Sequence, residues 1–158
     1  MKFRIIHLWG ILAALLAFGL DRWGKLAALN AHETGNLPIN ITSFFDIVFV
    51  WNPGVSFSFL ANSGDIGRYT LTLLAVVLSI IFIFWMSKSR HIVFILSMGL
   101  IIGGALGNAF DRLLYGQVVD FLFFYYQKWS FPVFNFADCA ITLGGFLYIY
   151  MLIFAKDE

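Results

Sequence analysis

The sequence predicts an all-α integral membrane protein: four transmembrane helices with a small β-rich element at the outer membrane surface. Three observations predict it. The 158 residues are 61% hydrophobic and only 12% charged, with a mean hydropathy of +0.86, whereas a soluble domain is nearer half apolar and a quarter charged. The 19 phenylalanines and 5 tryptophans carry more apolar surface than one small core can hide. Four apolar runs, each long enough to cross or nearly cross a bilayer core as helix, are separated by polar segments.

The first run, "IIHLWGILAALLAFGL" (5–20), stops at Asp21. Lys2 and Arg4 precede it as in a signal peptide, but Asp21, Arg22 and Lys25 follow directly and no small-residue cleavage site closes it, so it is expected to be an uncleaved span. An outer segment, 21–68, contains "INITSFFDIVFVWNPGVSFSF", which is β-branched, aromatic and broken by Asn52-Pro53-Gly54. That pattern predicts strands around a turn rather than a further span. The second run, "YTLTLLAVVLSIIFIFWM" (69–86), ends at Lys88, and residues 87–91 leave room for only a tight turn. The third, "IVFILSMGLIIGGALG" (92–107), opens the second outer segment, 108–135. The fourth, "FADCAITLGGFLYIYMLIFA" (136–155), stops at Lys156, and residues 1–158 are expected to form one membrane domain.

An even number of spans puts both termini on one side. Cytoplasmic termini place Lys2, Arg4, Lys88, Arg90 and Lys156 in very short segments against span ends, where excess positive charge orients a membrane protein. A formal charge of +1 gives no sign of nucleic-acid binding. One cysteine, Cys139, excludes an internal disulfide or a multi-cysteine metal site, and His7, His32 and His91 lack ligand-like spacing. No metal centre is expected.

Against this apolar background, a few polar residues stand near the outer ends of the helices: Asp21, Lys25, Asn52, Asn108, Asp111, Arg112, Asp120, Asn135 and Asp138. A charge at membrane depth costs about 2.5–3.5 kcal/mol even on lenient scales, so each is a functional candidate. If helix three continues through residue 112, Asn108, Asp111 and Arg112 share a face. Gly103, Gly104 and Gly107 let a neighbouring helix approach closely there. Asn135 follows Pro132 as a natural N-cap, with Asp138 in the first turn, where the helix dipole favours a carboxylate. Two carboxylates meeting in a low-dielectric site cannot both ionise, and one protonated and one charged carboxyl suit water-mediated peptide hydrolysis. No histidine lies among these residues to activate Cys139 or a serine.

Four blocks, in order, carry a family resemblance: "DRWGK" (21–25), "WNPGVSFSF" (51–59), "GGALGNAFDRLLYGQVVDF" (103–121) and "FPVFNFADCAIT" (131–142). The chain resembles the lipoprotein signal peptidases (signal peptidase II), bacterial aspartic peptidases of the inner membrane. The resemblance implies a catalytic pair, Asp120 and Asp138. Asn52, Gly54, Asn108, Asp111, Arg112, Asn135, Asp21 and Lys25 would bind substrate or support the pair. It implies cleavage of a diacylglyceryl-modified prolipoprotein immediately before the lipidated cysteine, with no metal or cofactor. It further implies a monomer among membrane lipids with its site near the periplasmic face. Pro53, Val55, Ser56 and Cys139 depart from the family's usual residues, and Arg22 and Gly24 occupy variable positions of the first block.

Several readings stay open on the residues alone. Asp111 is a rival partner for Asp138, although a salt bridge to Arg112 would keep it ionised. Arg112 either anchors Asp111 or holds a substrate carbonyl. Asn135 either caps helix four or bonds a catalytic carboxyl, and Asp21 and Lys25 are spaced as an ordinary helix-surface pair. Asp138, at a helix N-terminus, is expected to ionise more readily than Asp120. A small proton or ion translocator, with the aspartates as a relay, is the alternative from another class.

Overall fold

Each of the first three apolar runs becomes a helix longer than itself. The computed structural model describes residues 4–54 and 64–154. Its helices are α1 (Ile5–Glu33), α2 (Gly64–Lys88), α3 (Ile92–Tyr115) and α4 (Phe136–Phe154), and all four are long and apolar enough to cross a membrane. The expected stop at Asp21 is therefore a correction: α1 runs 29 residues, about 43 Å at the helical rise. Asp21 and Lys25 do not end it because they are buried and paired inside the protein rather than meeting lipid or water. α3 likewise passes the predicted end at residue 107, and it stops where Gly116 takes the left-handed conformation (φ 79°) that favours glycine.

The β-rich element draws on both outer segments. Strands β1 (Ile39–Thr42), β2 (Phe45–Asn52), β3 (Val118–Tyr126) and β4 (Trp129–Ser130) lie in the order β1-β2-β3-β4, with every pair antiparallel. The first hairpin turns at residues 43–44, whereas Asn52-Pro53-Gly54 ends β2; residues 55–59 of the expected second strand lie outside the described residues. The β2–β3 register sets Val50 opposite Asp120 and Asn52 opposite Val118. Asn52 and Asp120 are thus diagonal neighbours on one face. Beyond β4 the chain returns to β3: Phe121 and Leu122 donate to the Phe134 carbonyl at 3.0 and 2.8 Å, and the Phe134 amide donates back to Leu122 at 3.1 Å. This return brings Asn135 and the start of α4 alongside Asp120.

α3 is the central helix, packing on α1, α2 and α4, while α2 and α4 do not pack on each other among the described residues. Its glycines face two neighbours. A Cβ on Gly103 would collide with the backbone of Ala14 on α1. One on Gly104 would lie 2.5 Å from the Ala137 carbonyl oxygen on α4, and one on Gly107 would lie 2.6 Å from Asp21 Oδ2. The apolar core falls into two parts. Val119, Phe121 and Leu122 pack with Ala28 beneath the sheet, and Met86, Ile95, Met98 and Ile102 fill the opposite end. At that opposite end His7 bonds the Ser89 carbonyl at 3.0 Å, tying the start of α1 to the α2–α3 turn.

The close approach at Gly104 gives a direct test. Gly104→Leu is expected to destabilise the purified protein by about 1–3 kcal/mol, as overpacking does, in unfolding measured in detergent. Gly19→Leu, at a position with no neighbour within 4 Å, should not destabilise it.

Candidate active site

The site is built outward from Lys25. Its side chain is 1% exposed, and a buried ammonium needs an acceptor for each of its three N–H groups. It has three. Nζ lies 2.8 Å from Asp21 Oδ2 and 3.0 Å from Asp111 Oδ2, and it donates to Asn108 Oδ1 at 2.8 Å. Asp21 is one turn back on α1, and its other oxygen accepts the Ala137 amide at 2.8 Å. That amide is one of the N–H groups a helix N-terminus leaves unpaired, here that of α4. Asp111 also takes Arg22 on Oδ1 and the Val119 amide, at 3.1 Å, on Oδ2.

In front of this cluster stand the two carboxyls. Asp120 Oδ2 accepts from Asn52 Nδ2 at 2.8 Å, and Oδ1 accepts from Asn135 Nδ2 at 2.6 Å. Asp138 Oδ1 accepts from Asn108 Nδ2 at 2.9 Å, and Oδ2 accepts from the Asn135 amide at 3.2 Å. Among the described residues each of the four oxygens therefore has one N–H donor, and none is paired to a lysine or arginine. Asn135 serves both carboxyls. Its Oδ1 accepts the Asp138 amide at 3.0 Å, which with the return bond from its own amide forms the reciprocal cap of a helix start, while its Nδ2 reaches Asp120. The two readings left open for Asn135 hold together.

Both carboxyls line a cleft of about 980 Å³ between α2, α3 and α4. Its charged residues and asparagines, among them Asn52, Asn108 and Arg112, gather at the sheet end, and Leu78, Phe82 and Phe146 with Ser79 and Thr142 line the rest. Asp120 lies on β3 and is 2% exposed. Burial chiefly pushes its pKa up, to about 6; Asp138's charge adds to the rise, and the Asn52 and Asn135 N–H groups oppose it. A carboxyl of that kind keeps its proton up to about pH 6.

Arg112 and Asp111 part company, which corrects the expected salt bridge between them. Adjacent helical residues point about 100° apart. Asp111 turns to α1, while Arg112 turns to the cleft and donates to the Gly54 carbonyl at 2.7 Å and to the Asn108 carbonyl at 3.4 Å. Its buried Nε has no hydrogen-bond partner among the described residues. Asn108 sits between the two directions and reaches both Lys25 and Asp138. Asp21 and Lys25 are not a surface pair but the floor of the site. The residues picked out in the sequence thus converge, with Asp111 behind the cleft and Asp120 facing it.

Three contributors were missed. Arg22 binds Asp111; its place between Asp21 and Lys25 was the available signal. Gly24 leaves the space taken by Phe121 and Phe136, whose ring atoms would stand 2.8 and 2.7 Å from a Cβ there. Arg68, near the start of α2, donates to the carbonyls of Arg112 and Leu113 at 2.6 and 2.7 Å and so caps α3. Nothing local in the sequence marks Arg68.

A buried and a half-buried carboxyl converging on a cleft at one end of a four-helix membrane bundle are the arrangement of one class, the membrane aspartic peptidases. The chain belongs to one family of that class. The family model for signal peptidase (SPase) II matches residues 13–154. The chain is 43% identical over 135 residues to a lipoprotein signal peptidase of Neisseria meningitidis serogroup C (strain 053442), covering 85% of this chain and 82% of that protein. It is 40% identical over 147 residues to one of Acinetobacter baumannii (strain SDF), covering 92% and 83%. A solved bacterial membrane enzyme superposes with a TM-score of 0.79 at 26% identity, over 94% of this chain and 92% of that one. A second does so with 0.75 at 25% identity, over 93% and 94%.

The raised Asp120 pKa makes a prediction about stability. Such a group binds its proton better folded than unfolded, so its stabilisation is full below about pH 4 and is lost as pH rises through about 6. Asp120→Asn does not titrate. Relative to wild type it should therefore be more stable at pH 7.5 than at pH 4 by on the order of 2 kcal/mol, read from denaturant unfolding at the two pH values. An unchanged difference would place the Asp120 pKa near its ordinary value.

Proposed function

We propose that this chain cleaves signal peptides from diacylglyceryl-modified prolipoproteins, immediately before the lipidated cysteine, with Asp120 and Asp138 as its catalytic pair. The observation that carries the pair is Asn135, which bonds Asp120 through its side chain and Asp138 through both side chain and backbone. It ties two carboxyls, from a strand and a helix, to one asparagine: its side-chain amide donates to Asp120 and its backbone N–H to Asp138.

Asp120 holds the proton and Asp138 the charge. A water admitted to the cleft gives a proton to Asp138 as its oxygen attacks the scissile carbonyl carbon. Asp120 delivers its proton to the carbonyl oxygen as that becomes an oxyanion. Collapse of the tetrahedral species breaks the C–N bond; the proton held by Asp138 passes to the leaving cysteine nitrogen, and the new carboxyl returns one to Asp120. Arg112, with a spare buried N–H beside the pair, suits a substrate carbonyl, and its bond to the Gly54 carbonyl fixes the loop after β2.

The apolar length of the cleft, bounded by α2 and α4, suits acyl chains or an apolar signal segment entering from the bilayer. We infer cytoplasmic termini and a periplasmic site from the short basic segments at the end opposite the sheet, and a monomer in which one chain supplies every group named. The translocation alternative finds no support. The buried aspartates (Asp21, Asp111 and Asp120) and the cleft-lining Asp138 gather at the sheet end, joined through Lys25 and Asn108, rather than spread through the depth of the bundle.

Cleavage of one precursor, with and without its diacylglyceryl group, by protein in lipid tests this. Only the lipidated form should be cut. Asp120→Asn and Asp138→Asn, folded, should each lose roughly 10²–10⁴-fold or more in kcat. Retained cleavage by either variant contradicts the pair, and equal cleavage of both precursors contradicts the substrate class.

A further inference from the structure

We propose that Arg22 is a positioning residue for the Asp120 carboxyl, acting through Asp111. Asp111 is 0% exposed. Its Oδ1 is held by the Arg22 guanidinium; its Oδ2 is shared between Lys25, at 3.0 Å, and the Val119 amide, at 3.1 Å. Val119 is the residue before Asp120 on β3, and its carbonyl lies 3.4 Å from the Asn135 side chain. Holding the Val119 amide fixes the peptide from which the Asp120 side chain projects into the cleft.

Charge counting shows why a second cation is needed. Asp21 and Asp111 share Lys25, which must also donate to Asn108 and, through it, orient Asp138. Two carboxylates and one ammonium in a dry pocket leave an unbalanced negative charge, which a buried site meets by taking up a proton or shifting the ammonium. Either response loosens the grip on Val119 or on Asn108. Arg22 balances the cluster at two positive and two negative charges. It reaches Asp111 from the rim, with a side chain 13% exposed and its guanidinium 4.9 Å over the Phe110 ring.

The proposal rests on Asp120 being a catalytic carboxyl, so its test has one readout that does not. Amide hydrogen exchange of the segment containing Val119, in detergent, reads the tether itself, and kcat and KM on lipidated precursor read its consequence. In Arg22→Gln, exchange at Val119 should quicken roughly tenfold or more, and kcat should fall about tenfold with KM within about twofold, as expected of misplacement rather than lost binding. Arg22→Lys should recover most of both. In an Asp111→Asn background, Arg22→Gln should add little to the exchange rate. Wild-type exchange and wild-type kcat in Arg22→Gln, or equal effects with Asp111 present and absent, overturn the proposal. Should Arg22→Gln fail to fold, Arg22→Met, which also removes the cation from Asp111, carries the test: exchange and kcat shifted from wild type towards Asp111→Asn support it, and wild-type exchange and kcat overturn it. Faster exchange with unchanged kcat leaves the tether but removes its catalytic role, a result separate from any failure of the Asp120→Asn assay.

Discussion

A dry ammonium has to be surrounded, and the way Lys25 is surrounded organises the molecule. Its acceptors come from its own helix and from two positions on α3. Through them it fixes the first turn of α4, by the Asp21 bond to Ala137, and the start of β3, by the Asp111 bond to Val119. Removing one partner from such a cluster costs about 3–5 kcal/mol, because the other charge is left buried and alone. α1 therefore continues as helix through residues that look like its end, and α3 must bring Gly107 close enough for Asp21 to fit.

The cations stop one layer short of the proposed catalytic pair. Asp120 and Asp138 touch asparagine amides and a backbone N–H, not Lys25, Arg22 or Arg112. A cation directly on Asp120 would stabilise its charge and strip the proton that an acid–base pair needs. Neutral donors orient a carboxyl without deciding its charge as strongly, so burial prevails and the Asp120 pKa rises to about 6. Lys25 still acts on Asp138, at one remove, by fixing which way the Asn108 amide faces. The cleft then divides by chemistry: amides and carboxyls at the sheet end, side chains of α2 and α4 with apolar surface along its length.

The four helices were legible because long apolar runs leave little else to be built in a bilayer. The C-terminal ends of the first and third were not, since Asp21, Arg22 and Asp111 read as membrane boundaries until their partners on other elements are known. The strand around Asp120 was hard to read for a related reason: residues 118–122 are buried without alternation, so the period-2 signal is missing. The Asn52-Pro53-Gly54 break was visible, yet the hairpin turned at residues 43–44, where no glycine or proline marks it. Spacing put Asn108, Asp111 and Arg112 together but could not say that a one-residue step sends Asp111 and Arg112 to different neighbours. Asn135 and Asp138 were plain from i, i+3 spacing after a proline; their meeting with Asp120 depended on the return of Phe134 to β3, which local sequence does not encode.

The most direct measurement is infrared spectroscopy of the carboxyl groups in lipid, titrated between about pH 4 and pH 8, for wild type, Asp120→Asn and Asp138→Asn. A protonated carboxyl absorbs apart from a carboxylate. A pair in which burial holds one proton on Asp120 predicts a protonated-carboxyl band that is lost as pH rises through about 6, is absent from Asp120→Asn, and shifts in Asp138→Asn because its neighbour's charge is gone. A band that persists unchanged in Asp120→Asn, or no titrating carboxyl in this range, would contradict a shared-proton pair.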